Sequence, residues 1–401
     1  MAIPYRQWGS DIEEGALRQM ENAKSLPVSV AAALMPDAHQ GYGLPIGGVL
    51  ATDNAVIPYA VGMDIACRMK MTVLDLPVSE LIGAKERLRN ALTRETQFGV
   101  GAKFRPRLEH PVMDLDWSVS PVTRAGHDKA WSQLGTSGSG NHFVEFGVLT
   151  LSQPAALWTN PGAGGRHAGK ELAAGTHLAL LSHSGSRGVG GQIAQHYSKL
   201  AAKLHPELPK EQSHLSWFDL DTDEGREYWA AMELMGRYAA ANHELIHRRV
   251  ARHLRADVLA DVENHHNFAW RETHFGRDVI VHRKGATPAS TGVLGIIPGS
   301  MGTPGYVVRG KGNAESLNSA SHGAGRRMSR TAAYNTFTRR QMKDFLDERG
   351  ITLLSAGLDE CPLAYKDIDE VMAAQSDLVE IVARFDPKIV RMADGKEKPE
   401  D

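Results

Sequence analysis

Hydrophobic and polar residues follow strand-like and helix-like patterns in turn along this chain, and no linker separates them into two parts. The apolar run at 177–182 predicts a buried strand, and apolar residues at helical spacing from Val189 onward predict a helix. A second long helix is predicted at 227–254. Short β-branched runs between Gly and Pro turns predict strands at 279–282, 293–297 and 306–309. The segment 370–385 is predicted to be a final amphipathic helix.

This interleaving predicts one mixed α/β (α+β) domain over residues 1–392, followed by a charged tail at 393–401. The 401 residues are 42% hydrophobic and include 40 Gly. That composition excludes a disordered chain, a collagen-like repeat and a disulfide scaffold.

The charge balance excludes a general attraction to nucleic acid, because 45 Lys and Arg face 47 Asp and Glu. A bound polyanion therefore has to meet a local basic patch. No apolar run approaches the roughly 18 residues of a membrane span. The chain has 2 Cys, which fit reduced thiols better than a disulfide framework, and we expect a cytoplasmic protein without a membrane segment.

Five residues with metal-binding side chains fall in or beside predicted loops: Asp64, Cys67, His142, His183 and His266. Carboxylate, thiolate and imidazole together suit Mn, Fe, Co or Zn better than Mg or Ca. Asp64 and Cys67 share one turn, and a thiolate can bridge two ions. The alternative for each residue is a structural role, with Cys67 a small buried apolar residue. Histidines on predicted helices and strands are expected to be structural: His177, His196, His243, His247 and His253.

Glycine-rich loops at 134–142, 298–302 and 321–330 can present backbone N–H groups to phosphate, although none matches the Walker A or Rossmann pattern. In the last loop His322 precedes Gly-Ala-Gly and a predicted helix start, so a nucleophilic imidazole would meet an anion at a helix N-terminus. Basic residues follow and predict a local positive patch: Arg326, Arg327, Arg330, Arg339, Arg340 and Lys343. The alternative is a solvated basic helix behind a glycine turn.

Nine sequence blocks, in the same order over nearly the whole chain, resemble the RtcB family of RNA-splicing ligases. The blocks are MPDAHQGYGLPIGGVLA, VGMDIACR, LGTSGSGNHFVE, SHSGSRGVG, ENHHN, HRKGA, GIIPGSMG, SHGAGR and AYKDIDEVMAAQSDLVE. The resemblance implies a single-domain α/β fold around two Mn²⁺ ions. It assigns the five candidates above as the ligands of these ions, with Cys67 bridging both.

The resemblance also implies that His322 is the residue that becomes guanylylated by GTP. Residues matching the guanine-nucleotide pocket of the family are Asn141, Phe143, Glu145, Asn267, Pro298, Gly299, Ser300, Met301, Gly323, Ala324 and Gly325, with Gly305 where the family usually has a hydroxyl residue. Arg187, Arg283 and Arg326 are candidate RNA-phosphate contacts by motif membership and guanidinium geometry.

The implied reaction joins an RNA 2′,3′-cyclic phosphate or 3′-phosphate end to a 5′-hydroxyl end through an RNA-(3′)pp(5′)G intermediate. A small helper protein is a candidate partner, since the family often uses one. Two departures touch the nucleotide pocket. Ala393 and Asp394 stand near the position of a family lysine that contacts guanine, which Lys396 could replace after a shift, and Gly305 lacks a hydroxyl.

Two other functions compete with this interpretation. A divergent paralogue would only hydrolyse or cap RNA 3′-phosphate ends, and a non-catalytic protein would bind RNA ends around a structural metal. The second would be favoured if the nucleophile or a ligand were missing, and all six residues are present.

Overall fold

Two β-sheets form the framework of the protein in a computed structural model that describes residues 3–159 and 167–395. The strands are β1 (Tyr5–Gln7), β2 (Ser29–His39), β3 (Ile46–Thr52), β4 (Ala55–Val56), β5 (Arg68–Leu74), β6 (Phe143–Leu151), β7 (Ala155–Ala156), β8 (Glu171–Leu172), β9 (Gly175–Ser184), β10 (Phe218–Asp219), β11 (Val258–His265), β12 (Asn267–His274), β13 (Arg277–Lys284), β14 (Ala286–Pro288), β15 (Leu294–Ile297), β16 (Gly305–Gly310), β17 (Ser319–Ser321), β18 (Thr352–Ser355) and β19 (Val379–Met392). The α-helices are α1 (Glu14–Lys24), α2 (Pro58–Val61), α3 (Glu80–Gly83), α4 (Lys85–Glu95), α5 (Pro121–Gln133), α6 (Arg187–Leu204), α7 (Asp223–Leu254), α8 (Arg330–Thr336), α9 (Arg339–Asp347) and α10 (Ile368–Ala374).

The larger sheet has the strand order β11-β5-β9-β6-β19-β16-β15, with neighbours antiparallel, and β18 pairs in parallel with β19. Its two edge strands approach each other through one side chain. Asn264 on β11 accepts a hydrogen bond from Ile296 N on β15 at 2.9 Å and donates to Ile296 O at 3.3 Å. The sheet is therefore close to a closed barrel.

The smaller sheet has the order β1-β2-β3-β13-β12. Its antiparallel register pairs the end of β2 with the start of β3, and the end of β13 with the start of β12. One end of this sheet thus collects His39, Ile46, Asn267 and Lys284. Residues far apart in sequence reach the same end of the molecule for this reason.

The apolar side of helix α7 packs into the core between the larger sheet and α6. Two histidines of this helix are buried, and His243 Nδ1 and His247 Nε2 lie 2.7 and 2.8 Å from Ser182 Oγ. Their place in the core agrees with the structural role expected from their position on a helix. In the described part of the chain, every helix is too short or too polar to cross a membrane.

The mixed α/β fold is confirmed, but the predicted helix at 370–385 is wrong. Helix α10 ends at Ala374, and residues 379–392 form β19 instead. Buried and less buried residues alternate along 383–389, and β6 and β16 pair with opposite edges of the strand. The boundary at 392/393 stays a prediction, and residues 396–401 of the predicted tail lie outside the described residues.

The predicted helix start beside His322 is also wrong. The loop after β17 continues through Gly325 to Ser329, which caps α8 by accepting a hydrogen bond from Ala332 N. The N-terminus of α8 therefore does not supply the N–H groups next to His322.

Candidate metal centre and nucleotide pocket

The five predicted metal-binding side chains meet at one end of the larger sheet. Asp64 and Cys67 lie on the turn between α2 and β5, and His266 lies between β11 and β12. His183 is on β9, and the antiparallel register of β6 with β9 brings His142, directly before β6, beside it. Neighbouring strands thus carry ligands from distant parts of the chain to one place.

The donor atoms form two groups that share the cysteine: Cys67, His183 and His266 in one, and Asp64, Cys67 and His142 in the other, with the atoms of each group within 4.8 Å of one another. Cys67 Sγ lies 3.0 Å from His183 Nε2 and 3.4 Å from His142 Nε2. His183 Nε2 is 3.2 Å from His266 Nε2, and His142 Nε2 is 3.0 Å from Asp64 Oδ2. The sulfur of Cys67 is therefore within reach of the other donor atoms of both groups.

The protonation states suit cation binding. Burial lowers the pKa of His183 to about 3 and holds the pKa of His266 well below its ordinary value, so both imidazoles are neutral. Burial alone would raise the pKa of Asp64, but a hydrogen-bonded imidazole and the charge of Arg187 keep that pKa below its usual range. Burial raises the pKa of the Cys67 thiol, and a bound cation would reverse this by favouring the thiolate. The nitrogen, sulfur and oxygen donors therefore fit a borderline divalent ion.

His322 stands next to this cluster, and its ring centroid is 4.9 Å from that of His266. Its Nδ1 lies 2.7 Å from Oδ2 of Asp37, a fully buried carboxylate at the end of β2. The same oxygen accepts hydrogen bonds from the backbone N–H groups of His322 and Gly323. With Nδ1 donating to Asp37, the lone pair of the imidazole is on Nε2, which makes Nε2 the nucleophilic atom.

A cavity of about 170 Å³ opens beside His322 and the metal-binding histidines. Nine residues predicted to hold the nucleotide line it: Asn141, Phe143, Pro298, Gly299, Ser300, Met301, Gly323, Ala324 and Gly325. His183, His266 and His322 also line it, so the candidate nucleophile, part of the candidate metal centre and three glycine-containing loops face one space.

The family model described as tRNA-splicing ligase RtcB matches residues 19–393. The chain belongs to the RtcB family. RNA-splicing ligase RtcB of Escherichia coli K12 is 33% identical over 413 residues, covering 94% of this chain and 95% of the relative. RNA-splicing ligase RtcB of Mycobacterium tuberculosis H37Rv is 33% identical over 440 residues, covering 92% and 98%. tRNA-splicing ligase RtcB of Thermococcus kodakarensis is 29% identical over 465 residues, covering 96% and 94%.

Three residues predicted from RtcB motifs lie outside the cavity lining. Glu145 is buried on β6, where burial raises its pKa, and its Oε2 finds no hydrogen-bond partner among the described residues. Asn267 donates to Asp64 O at 3.2 Å and accepts from Gly285 N at 2.8 Å, so it holds the metal-binding turn. Gly305 begins β16 behind the Pro298 loop, and a Cβ there would lie 3.2 Å from Pro298 Cα.

The three arginines predicted to contact phosphate have different surroundings. Arg187 is half-buried beside the metal-binding residues, with Nη2 2.8 Å from His142 Nδ1. Arg326 lines the nucleotide cavity and donates to Asp359 O at 2.8 Å. Arg283 is fully buried and its guanidinium makes a two-point ion pair with Glu272, at 2.6 and 3.0 Å. The geometry does not support a phosphate contact for Arg283, since its guanidinium has no exposed surface.

The predicted positive patch is smaller than the count of basic residues suggests. Arg330 pairs with Asp359 at 3.0 Å and with Glu360 at 2.7 Å. On α9, Lys343 pairs with Asp347 and Arg340 with Asp344, and these side chains are exposed. Acidic neighbours thus offset much of the charge around the loop of His322.

The sequence analysis gave no role to several residues that line or support the pocket. Asp37 orients His322, and Glu360 and Tyr365 line the cavity opposite the glycine-rich loops. Asp37 lies in the block MPDAHQGYG, which marked the family but offered no chemical reason to single it out. Met392 also lines the cavity, and the chain continues through Ala393 and Asp394, whereas Lys396 lies outside the described residues.

Proposed function

We propose that this protein is a GTP- and Mn²⁺-dependent RNA ligase that joins RNA 2′,3′-cyclic phosphate or 3′-phosphate ends to 5′-hydroxyl ends. The observation that carries the proposal is His322, held by Asp37 at 2.7 Å and lying beside His266 in the cavity that the metal-binding cluster shares. The RNA-splicing ligase names of the relatives agree with this chemistry. The five predicted ligands lie in the two adjoining donor groups, and the predicted nucleophile His322 lies beside His266.

Cys67, His183 and His266 would hold one Mn²⁺, and Asp64, Cys67 and His142 the other. When bound, these ions supply positive charge that orients phosphate oxygens and offsets the negative charge developing during phosphoryl transfer. The neutral histidines His183 and His266 and the carboxylate of Asp64 are donors that suit such an ion.

His322 acts as the nucleophile. Its Nε2 forms a bond to the α-phosphorus of GTP, the bond to the β-phosphate breaks, and pyrophosphate leaves. Asp37 keeps the proton on Nδ1 and offsets the positive charge that the ring gains. An oxygen of the RNA 3′-phosphate, formed by hydrolysis where the end is cyclic, then attacks the phosphorus on His322 and takes over GMP.

In the last step the RNA 5′-hydroxyl oxygen attacks the 3′-phosphorus, loses its proton and displaces GMP. His322 is by then free again, so one chain can act repeatedly. The choice of guanine as the base rests on the family resemblance, because Glu145 is buried outside the lining of the cavity. Both cysteines are free and buried, in keeping with a cytoplasmic enzyme, and a small helper protein remains a candidate partner for turnover.

One alternative activity has an observation in its favour. The alternative is a paralogue that caps or hydrolyses RNA 3′-phosphate ends without sealing them. The observation is that the acidic Asp394 stands near the position where the family has a lysine that contacts guanine. Sealing of a 3′-phosphate end to a 5′-hydroxyl end separates the two, since a capping enzyme stops at the nucleotide-capped 3′ end.

The test of the proposal is incubation with Mn²⁺ and α-labelled GTP. We expect an acid-labile, alkali-stable label on the protein that His322→Ala abolishes. His196→Ala, which alters an exposed histidine on α6, is the matched control and should keep the label. Label from ATP but not GTP would overturn the choice of nucleotide, and no label from any nucleotide would overturn the mechanism.

A further inference from the structure

A second cavity, of about 330 Å³, adjoins the nucleotide pocket on the side away from the metal-binding cluster. The two cavities share four lining residues: His39, Ile46, Arg326 and Arg330. The outer wall of the second cavity is the loop between β2 and β3, which includes Tyr42. A molecule lying in this cavity can therefore extend toward His322.

Tyr42 presents an aromatic ring at this wall, 53% exposed. Its ring meets His214 edge-on, at 5.9 Å and 76°, and Tyr59 at 6.5 Å and 41°. Both neighbours meet the ring at an angle, and more than half of the residue stays exposed, so a planar base can lie against the exposed part of the ring.

The loop that carries Tyr42 is fixed by its backbone. Glu13 accepts from Gln40 N, and Gln19 Oε1 accepts from Gly41 N at 3.0 Å. Lys284 Nζ donates to the carbonyl of Tyr42. Because these contacts use the backbone, the backbone of the loop is held in place without a ligand, and a change of the Tyr42 side chain leaves these contacts intact.

Charge at the cavity favours a base over a phosphate. Arg330 is paired with Asp359 and Glu360, Arg326 is within 3.5 Å of Glu360, and Glu13 adds an acid to the outer wall. Recognition here is thus by stacking and shape. Aromatic stacking on unpaired bases is the usual way in which proteins hold single-stranded RNA.

We infer that Tyr42 is a stacking platform for the base of the terminal nucleotide of the RNA strand that carries the 3′-phosphate. This inference rests on the proposed function, in which the 3′-phosphate must reach the nucleotide held on His322. The cavity of Tyr42 adjoins the His322 pocket, whereas a third cavity, of about 360 Å³, opens beside Asp64 and His142. The 3′-phosphate strand therefore approaches past Ile46 and rests its last base on Tyr42.

The test is the binding of a short 3′-phosphate RNA oligonucleotide, measured by fluorescence anisotropy. Tyr42→Ala should weaken binding about 5- to 100-fold, the range expected for one stacked base, and Tyr42→Phe should restore it. Phe275→Ala is the matched control, because Phe275 is also an exposed aromatic residue (56%) but lies at the far end of the β12–β13 hairpin, about 25 Å along the strands. It should bind RNA as the wild type does.

An oligonucleotide with an abasic terminal nucleotide makes the test specific. Its affinity for the wild type should be as low as the affinity of the normal oligonucleotide for Tyr42→Ala. Tyr42→Ala should bind the abasic and the normal oligonucleotide with equal affinity. Equal binding by wild type and Tyr42→Ala, or a loss that is the same with and without the terminal base, would overturn the inference. The binding measurement needs no turnover, so it stands apart from the labelling and sealing assays that decide the proposed function.

Discussion

Asp37 Oδ2 lies 2.7 Å from His322 Nδ1, and the same oxygen accepts the backbone N–H groups of His322 and Gly323. This one carboxylate, fully buried at the end of β2, sets both the position of the imidazole and its tautomer. It thereby joins the smaller sheet to the loop that carries the candidate nucleophile.

Asp37→Asn should lower the rate of His322 labelling by GTP about 10- to 100-fold, because it removes a buried negative charge beside the ring. An asparagine oxygen in the place of Oδ2 can still accept from Nδ1 and from the two backbone N–H groups. The neutral amide no longer offsets the positive charge that the ring gains as Nε2 bonds to phosphorus. The rate is measured with saturating Mn²⁺ and GTP, and the melting temperature serves as the control for folding. Labelling at the wild-type rate would contradict this role of Asp37.

Cys67→Ser should weaken binding at both metal positions, because Cys67 belongs to both groups of donor atoms. If the proposed function is right, equilibrium binding should give two Mn²⁺ per chain in the wild type, one in His142→Ala, and a 10- to 100-fold or greater loss of affinity at both positions in Cys67→Ser. Equilibrium dialysis with elemental analysis gives these numbers. Cys361→Ser is the matched control, since Cys361 is a buried free cysteine packed with Met301 and Met342 outside the cluster. Two ions bound at unchanged affinity in Cys67→Ser would remove this residue from the site.

Arg283→Met and Arg187→Met should affect different properties of the protein. Arg283 is fully buried, pairs with Glu272 and donates to Ser319 Oγ, so its loss should lower the free energy of unfolding by about 3 kcal/mol. Arg187 contacts His142, so its loss should reduce His322 labelling at least about 10-fold while changing stability by about 1 kcal/mol or less. Urea unfolding and the labelling assay distinguish the two variants. A stable Arg283→Met protein with weakened RNA binding would instead support the phosphate contact expected from the sequence.

The clustering of the five candidate metal ligands could be predicted from the sequence because their chemistry is unusual and loops carry most of them. A cysteine and a carboxylate on one turn have few structural reasons to occur together, and the geometry brings them to three histidines. The role of Asp37 could not be predicted, because a single aspartate has many common uses and nothing near it in the sequence pointed to His322. Asp37 meets His322 only in the folded protein. Strand β2, which carries Asp37, pairs with β3, β3 pairs with β13, and the loop after β17 brings His322 to Asp37.

The errors have physical causes of the same kind. The segment 379–392 contains charged residues at spacings that resemble a helix, but pairing on both edges with β6 and β16 decides its structure. The phosphate contact of Arg283 stays a prediction, and its family block gave no sign of the buried pairing with Glu272 that the structure shows. Short-range patterns carry no information about such partners.

Stability should depend on pH through His282, which is fully buried on β13. Its Nδ1 lies 3.2 Å from Leu50 O and its Nε2 accepts from Ile57 N at 2.9 Å, so a second ring proton would face an N–H group. Burial lowers the pKa of His282 from 6.5 to about 4. Between these values the unfolded chain binds a proton that the folded protein does not, so the free energy of unfolding falls as the pH drops from about 6.5 to 4, by about 3 kcal/mol for this group.

His282→Gln lacks this titration, so the stability difference between wild type and variant, measured by urea unfolding at each pH, should narrow by that amount. Other buried histidines are present in both proteins and cancel in the difference. Parallel stability curves from pH 7 to pH 4 would show that His282 is not the titrating group.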